Sequence, residues 1–253
     1  MSDDPAGPRP DPWDRFRAAT PARINPGRSG DALPTAALLQ FQADHARARD
    51  AVHGKVDFAA LARQLAPKPV LCVNSRAGDR PAYLRRPDLG RRLDESCAAR
   101  LPAGDWDLLF VIADGLSAQA VTSHAVPTIE ACLALLPGWA VAPVVLAGQA
   151  RVALGDEIGE RMGARLVVVL IGERPGLSVA DSLGIYLTYA PMVGRKDAER
   201  NCISNIHAAG LGYPAAAAKL AWLAGQARLR RLTGVELKED AEARQIKAID
   251  TDL

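Results

Sequence analysis

Residues 165–173 read RLVVVLIGE, and this stretch decides the fold. A short, unbroken run of valine, leucine and isoleucine that ends at a glycine is typical of a strand buried on both faces. Three other runs have the same character: PVLCVN (69–74), DLLFVIADG (107–115) and VAPVVLAG (141–148). GIYLTYA (184–190) predicts one more strand. Such strands require a sheet that is covered on both sides.

Helical segments alternate with these strands. The stretches 87–101 (PDLGRRLDESCAARL) and 155–163 (GDEIGERMG) predict helices, and a long helix is expected over 215–234. Pro127 is expected to split the segment 117–136 into two helices, because proline breaks the hydrogen-bond ladder. This alternation predicts an α/β fold with a doubly wound, mostly parallel, Rossmann-like sheet.

The chain before the first strand divides into two parts. Residues 1–30 are rich in proline and predict a flexible N-terminal arm, which is either a disordered end or a clasp onto a partner. Residues 31–66 predict a small helical cap, with one helix running to about Val52 and a second starting at Asp57. The rest of the chain, 67–253, predicts the Rossmann-like domain.

Composition excludes several classes of protein. The net charge of +2 over 253 residues gives no reason to expect nucleic acid or an anionic membrane as a partner. No apolar run approaches the roughly 20 residues of a membrane helix, and the first residues lack the apolar core of a secretory signal. The scattered cysteines and histidines show no metal-ligand spacing, so we expect no metal site. A cytoplasmic protein is therefore expected.

Nucleotide motifs are missing from the places where this fold would carry them. The first strand is followed by NSRAGDRPAYL without GxGxxG, and neither GxxxxGK[ST] nor GxSxG occurs. Ligands of open α/β sheets bind beyond the carboxyl ends of the strands. We therefore expect the polar loops after LLFVIA, VAPVVLAG, RLVVVLIG and GIYLTYA to share one edge of the sheet and to form a site there.

Three stretches carry side chains that could serve such a site. Glu173 and Arg174 directly follow an apolar run and either cap a loop or contact a ligand. Cys202, in NCISNIH, would need a basic partner to act as a nucleophile, and the spacing to His207 does not establish one. The arginine-rich run 76–92 is either a solvated surface or a docking surface.

Six segments, in this order, resemble the small (light) subunit of ethanolamine ammonia-lyase. They are LLxFxADHxRxxDxV (38–52), YLRRPDLGRRL (83–93), DGLSAQA (114–120), RVALGDEIGE (151–160), GERPGLSVADSL (172–183) and RNCISNIHAAG (200–210). Each segment alone is a weak signal, whereas the ordered combination is specific.

This resemblance implies an adenosylcobalamin-dependent lyase that converts ethanolamine to acetaldehyde and ammonia. Cleavage of the cofactor's cobalt–carbon bond would start a radical mechanism, with the protein binding and orienting the cofactor. A large subunit would hold the substrate and the catalytic groups, in a hetero-oligomer with several copies of each chain. This chain would cover the cofactor from the other side, in the cytosol or inside a bacterial microcompartment.

The resemblance also implies cofactor contacts at three matched positions. Val152 would offer backbone groups or packing to a corrin side chain. Glu173 would accept hydrogen bonds from corrin amides or from the nucleotide tail, and Cys202 would pack or make a weak polar contact. We nominate no catalytic residue and no metal ligand in this chain. Two alternatives stay open, a nucleotide-binding α/β enzyme and a non-catalytic scaffold subunit.

Overall fold

The structure, a computed structural model, describes residues 11–20 and 22–238. Its strands are β1 (Val70–Asn74), β2 (Trp106–Ala113), β3 (Val144–Gly148), β4 (Ala164–Gly172), β5 (Leu183–Tyr189) and β6 (Asn201–Ile206). Its helices are α1 (Asp14–Ala19), α2 (Thr35–His53), α3 (Phe58–Leu65), α4 (Arg80–Arg85), α5 (Glu95–Ala98), α6 (Ala118–Ala134), α7 (Leu154–Met162) and α8 (Tyr213–Arg230). Short 3₁₀ turns cover Leu89–Arg91 and Asp197–Glu199.

All six strands belong to one sheet, in the order β1-β3-β2-β4-β5-β6. Strands β1, β3, β2 and β4 run parallel, β5 runs antiparallel to β4, and β6 runs antiparallel to β5. The predicted α/β fold with a mostly parallel sheet is confirmed. The central strands β2 and β4 are buried along almost their whole length, which explains why their sequences are continuously apolar.

Two hydrophobic cores lie on the two sides of the sheet. On one side, here called the α6 face, helices α3, α6 and α8 pack against residues such as Phe110 and Leu170. On the other side, the α7 face, a smaller core joins Val111 and Val169 to Ile158 of α7. The two sets of strand residues alternate because successive side chains of a strand point to opposite faces.

The α7 face is covered unevenly. Helix α7 packs on β2 and β4 in the middle of the sheet. Farther along this face, β5 and β6 carry a half-buried Tyr186 and an exposed Cys202. The α7 face therefore has an open part, formed by β5 and β6, next to its covered part.

The four cysteines are free, and two of them are exposed on the two edge strands. Cys72 lies on β1 and Cys202 on β6, whereas Cys97 and Cys132 are buried. Following the paired residues from β1 to β6 leads from Cys72 to Ile203, so these two side chains lie on the same face of the sheet. Because Ile203 is the neighbour of Cys202, the two exposed thiols point to opposite faces of the sheet.

Pro127 does not split α6, and that prediction was wrong. The helix runs without a break from Ala118 to Ala134, with Pro127 inside it. An internal proline costs about 3 kcal/mol. Burial of one side of α6 against the sheet and α8 offsets this cost, because nine residues of the helix are buried. Ser123, whose carbonyl loses its helical partner to the proline, lies on the exposed side.

The predicted helix over 87–101 is also wrong, since the segment forms a 3₁₀ turn and the one-turn helix α5. Its backbone groups bond elsewhere. The N–H of Leu93 donates to the carboxylate of Glu157 at 3.0 Å, and the N–H of Asp94 donates to the carbonyl of Asn74 at 3.0 Å. Because these N–H groups have long-range partners, the middle of the segment does not form helical hydrogen bonds.

The loop after β5 was wrongly placed with the other loops. Because β5 is antiparallel, its carboxyl end lies at the opposite end of the sheet, and the chain returns along β6. The segment NCISNIH, predicted as a loop, is therefore an edge strand, and its carboxyl end reaches the edge where β2 and β4 end.

The N-terminal part contains the two predicted cap helices, α2 and α3. Asp57 caps α3 by accepting a hydrogen bond from the N–H of Ala60 at 2.9 Å, which confirms the predicted start. Before them lies α1, which buries no residue, and Arg23 pairs with Asp44 of α2. Residues 1–10, 21 and 239–253 lie outside the described residues. The division into arm, cap and domain stays a prediction.

Candidate functional site

A cavity of about 270 Å³ opens at the carboxyl ends of β2 and β4, on the α7 face. The residues that line it are Tyr83, Gly115, Leu116, Arg151, Val152, Ile171, Gly172, Glu173, Arg174 and Tyr186. Two of the three predicted contact residues, Val152 and Glu173, are among them. The cavity thus lies at the edge that the strand directions favour for a ligand.

Val152 occupies the turn between β3 and α7. It is half-buried, packs against the core of the α7 face, and accepts a hydrogen bond from the N–H of Gly155 at 3.0 Å. No side chain caps the N-terminus of α7. Val152 therefore presents an apolar side chain and main-chain groups at the rim of the cavity.

Glu173 follows β4 directly, and its carboxylate is bound by a residue just before β5 and by a residue of β6. Its Oε2 accepts a hydrogen bond from the hydroxyl of Ser182 at 2.5 Å and a longer one from the N–H of Asn205 at 3.4 Å. A Cβ at Gly184 would lie 2.9 Å from Oε1, so the glycine leaves the carboxylate in its present position without a close contact. Ser182 and Gly184 thus fix the orientation of the Glu173 carboxylate.

Cys202 lies beside the cavity on the open part of the α7 face. It pairs with Tyr186 across the β5–β6 ladder, and the two side chains are hydrogen-bonded. Desolvation by the surrounding sheet raises the pKa of the thiol although one side is exposed, the Tyr186 hydrogen bond lowers it, and the Glu173 carboxylate raises it further. The thiol is therefore protonated at neutral pH.

Among the described residues, His207 is not free to act as a general base for Cys202. The Nε2 atom of His207 is hydrogen-bonded to Oδ1 of Asn205 at 2.8 Å, and its Nδ1 accepts from the N–H of Ala209 at 3.3 Å. Both ring nitrogens are therefore occupied by neighbours of His207 itself. A protonated thiol is a poor nucleophile, which disfavours covalent catalysis at this position.

Tyr83 and Arg151 line the cavity, and Arg80 packs on the same tyrosine ring behind them. The guanidinium carbons of Arg80 and Arg151 lie 4.8 Å and 4.2 Å from the ring centroid of Tyr83. Tyr83 is fully buried, and burial raises its pKa to about 12, so the ring stays neutral. Sequence reasoning missed this cluster, although Tyr83 and Arg151 belong to the recognised segments YLRRPDLGRRL and RVALGDEIGE.

Gly90 lets those two segments meet. Its carbonyl accepts a hydrogen bond from the N–H of Arg151 at 2.8 Å. A Cβ at this position would lie 2.9 Å from Cγ of Arg151 and 3.1 Å from the ring of Tyr83. The glycine therefore allows the close packing that holds Arg151 at the cavity.

At the crevice between β2 and β3, where a doubly wound fold would take a nucleotide, the Asp114 carboxylate occupies main-chain donors. Its two carboxylate oxygens accept hydrogen bonds from the N–H groups of Gln149 and Ala150 at 2.8 Å and 2.9 Å. Burial raises the pKa of Asp114, while these two donors and Arg80, 3.9 Å away, act in the opposite direction. The N–H groups that would cradle a phosphate are thus already used, which disfavours the nucleotide-binding alternative.

Two further features of the described residues bear on function. They contain no group of three or more histidine, cysteine, aspartate or glutamate side chains that could hold a metal ion. Within the same residues, none of the helices combines the length and the apolar character needed to cross a bilayer.

The family model for the ethanolamine ammonia-lyase light chain (EutC) matches residues 10–238. The chain belongs to this family. Three ethanolamine ammonia-lyase small subunits illustrate the similarity. That of Azotobacter vinelandii is 54% identical and covers 93% of this chain and 91% of its own length. Those of Pseudomonas syringae pv. tomato and Xanthomonas campestris pv. campestris are 51% and 53% identical, covering 95% and 98% of this chain and 87% and 94% of their own lengths.

The segments that carry the resemblance to the light-chain family meet around the cavity. The segment 83–93 contacts 151–160 through the Gly90–Arg151 and Leu93–Glu157 hydrogen bonds. The segment 172–183 contacts 200–210 through the bond from Asn205 to Glu173. Four of the six segments that carry the resemblance are therefore joined in pairs at this edge of the sheet.

Proposed function

We propose that this chain is the small subunit of an adenosylcobalamin-dependent ethanolamine ammonia-lyase and completes the cobalamin site at the interface with the large subunit. The proposed enzyme converts ethanolamine to acetaldehyde and ammonia. It contains several copies of each chain and works in the cytosol, with or without packaging in a microcompartment. No nucleic acid and no membrane takes part.

One observation carries this proposal. Val152 and Glu173 line the same cavity, and Cys202 lies next to it through its pairing with Tyr186. These three positions are far apart in the sequence and come from the β3–α7 turn, the end of β4 and the edge strand β6. Their convergence supports a shared ligand, and we propose that this ligand is a corrinoid.

The chemistry of the cavity fits one edge of a corrinoid. Such a molecule has an apolar ring system bordered by amide side chains and a nucleotide tail. The cavity offers apolar contacts from Leu116, Val152 and Ile171, donors from Arg151 and an acceptor in Glu173. At about 270 Å³ it is far smaller than a whole corrinoid, so the rest of the molecule would lie over the open part of the α7 face.

That arrangement requires a second chain. A corrinoid lying on the open part of the α7 face would be exposed on its other side, and ligand sites of this size bury most of the ligand surface. The large subunit would supply the missing cover. The family name, light chain, and the names of the relatives, small subunit, are in keeping with such a division.

Bound adenosylcobalamin supplies the homolytic cleavage that starts the radical reaction. The residues of this chain bind and orient it: Glu173 accepts hydrogen bonds, and Val152 and Cys202 fix one edge by contact. We assign no proton transfer to this chain. Because burial raises the pKa of Cys202, we give its thiol no chemical role and place the catalytic groups in the partner.

The test is reconstitution. The chain and its large subunit are purified separately, and acetaldehyde formation from ethanolamine is measured for each alone and for the mixture, always with adenosylcobalamin. Activity is expected in the mixture alone. The visible spectrum after gel filtration should show cobalamin retained by the mixture and lost from either chain alone.

Two results would contradict this proposal in different ways. Acetaldehyde formation by the single chain would show that it carries its own catalytic groups. Full cobalamin retention by the large subunit alone would make this chain a scaffold, since its cavity would then contribute nothing to cofactor binding.

A further inference from the structure

Arg151 is a cavity residue with an incomplete set of hydrogen bonds. Its Nη2 donates to the carbonyl of Tyr83 at 3.2 Å, and its guanidinium lies over the Tyr83 ring. Its Nε is buried without a hydrogen-bond partner. A buried N–H donor without an acceptor costs about 1 to 3 kcal/mol, so such a group points to an absent acceptor or to local strain.

The charge of Arg151 is also unbalanced. Among the described residues, no carboxylate lies within ion-pair distance of its guanidinium, whereas Arg80 on the same ring is paired with Asp114. The carboxylate that lines the cavity, Glu173, is engaged by Ser182 and Asn205 instead. Two positive charges therefore share the Tyr83 ring with a single buried counter-charge.

The position of Arg151 is fixed, which separates it from a loose surface arginine. The Tyr83 ring, the Nη2 hydrogen bond and the close approach of Gly90 hold its side chain against the cavity wall. Arg174 also lines the cavity but is exposed. A preorganised guanidinium gives stronger and more selective binding than a mobile one, since less side-chain entropy is lost.

We propose that Arg151 binds the phosphodiester of the cofactor's nucleotide tail, an inference that rests on the proposed function. The phosphodiester is the anionic group at the periphery of adenosylcobalamin, and the other peripheral groups are neutral amides. Arginine pairs with phosphate oxygens through charge-assisted hydrogen bonds. Binding of this group would balance the charge of Arg151 and leave Glu173 for the amide donors.

The experiment measures binding rather than turnover. Equilibrium dialysis against the assembled complex is run with three probes: cyanocobalamin, cobinamide methyl phosphate and cobinamide. The second keeps the phosphodiester without the base and ribose, and the third lacks all of these groups. The variants are Arg151→Met, Arg151→Lys and the matched control Arg100→Met, which removes an exposed arginine that does not line the cavity.

The wild-type complex should bind cobinamide methyl phosphate more tightly than cobinamide. Arg151→Met should weaken binding of both phosphodiester probes by on the order of 10- to 100-fold and leave cobinamide unchanged, because an ionic hydrogen bond to the phosphate is lost. Arg151→Lys should fall between, since it keeps the charge and loses the planar contact. Arg100→Met should match the wild type.

The ratio between probes separates this effect from misfolding, since a damaged cavity weakens all three probes together. An equal loss for all three probes in both Arg151 variants, or no loss in either, would overturn the assignment of the phosphodiester to Arg151. A wild-type complex that binds none of the corrinoids would instead overturn the proposed function itself.

Discussion

The two faces of the sheet are held by different forces. The α6 face is covered by three helices whose buried residues are almost all apolar. On the α7 face, one helix of nine residues carries two buried carboxylates, Asp156 and Glu157, and each of them is paired with arginine. The α6 face thus resembles an ordinary core, whereas the α7 face depends on ion pairs beside an open surface.

This difference shows where stability and binding reside. A face closed by apolar packing can be buried without specific partners, since the hydrophobic effect has no direction. A face that must stay open for a ligand buries less apolar area. Hydrogen bonds and ion pairs then have to hold its helices and strands in place. The predictions below test that division.

The largest effect is expected from Arg200→Met. Arg200 donates to Asp156 at 2.6 Å and to Thr188 at 3.1 Å, and its side chain is 2% exposed. Removing it leaves Asp156 buried without a counter-charge, which should lower the free energy of unfolding by about 3 to 5 kcal/mol. Urea denaturation measures the change.

The double variant Asp156→Leu/Arg200→Met sharpens this test. Replacing both members of a buried pair by apolar residues is often neutral, so much of the lost stability should return. A single variant that unfolds like the wild type would show that the α7 face does not depend on this pair.

Ile129→Ala tests the α6 face. Ile129 of α6 is completely buried in the larger core. Its truncation should lower the free energy of unfolding by about 2 to 5 kcal/mol, through lost burial and the cavity left behind. Cobalamin affinity of the folded complex should stay at the wild-type value. A parallel loss of affinity, measured by dialysis at a temperature where the variant is folded, would mean that the two faces are not independent.

Glu173→Gln tests the cavity directly. The amide keeps the size of the side chain but loses the charge that strengthens its hydrogen bonds, which should cost about 1 to 3 kcal/mol of cofactor binding. Half-saturation by adenosylcobalamin should rise, while the KM for ethanolamine changes much less. The reverse pattern would place Glu173 in the substrate site.

Ser182→Ala should have a weaker effect of the same kind. Ser182 does not line the cavity but donates to Glu173 at 2.5 Å, so its loss frees the carboxylate to turn. A cost of about 0.5 to 1.5 kcal/mol in cofactor binding is expected, with unchanged ethanolamine KM. Combined with Glu173→Gln, the serine variant should add little, because both act through one carboxylate. Full additivity would contradict this positioning role.

The smallest effect is expected from Cys202→Ser. Serine is nearly isosteric, so a residue that only borders the cofactor should tolerate it, and the reconstituted complex should keep most of its activity. Cys202→Trp adds bulk on the open part of the α7 face and should lower cofactor retention first. Both are assayed across a cofactor titration after assembly is checked. An inactive serine variant with normal cofactor binding would assign Cys202 a chemical role.

The sequence was sufficient for the elements that burial dictates. The apolar runs 107–115 and 165–173 became the central strands, because a strand buried on both faces must be apolar throughout. The sequence did not predict strand β6, in which only Ile203 and Ile206 are buried and the other residues are partly or fully exposed. An edge strand needs few apolar residues, so its pattern resembled a loop.

The candidate site shows a similar limit. Glu173 could be placed at a strand end from local sequence, because a charged residue follows an apolar run directly. The contact of Tyr83 with Arg151 could not be predicted, since it depends on how two segments far apart in the sequence pack through Gly90. The antiparallel direction of β5 has no local signature either, and it moved the following loop to the other end of the sheet.

The two exposed cysteines allow binding of the partner to be followed by thiol labelling. Cys72 and Cys202 lie on the two outermost strands and on opposite faces, roughly 24 Å apart across five strand spacings. In a competition between light and heavy maleimide, followed by mass spectrometry, each thiol reports whether its own face is covered. Protection of Cys202 with unchanged labelling of Cys72 would map the partner to one side of the molecule without any engineered label.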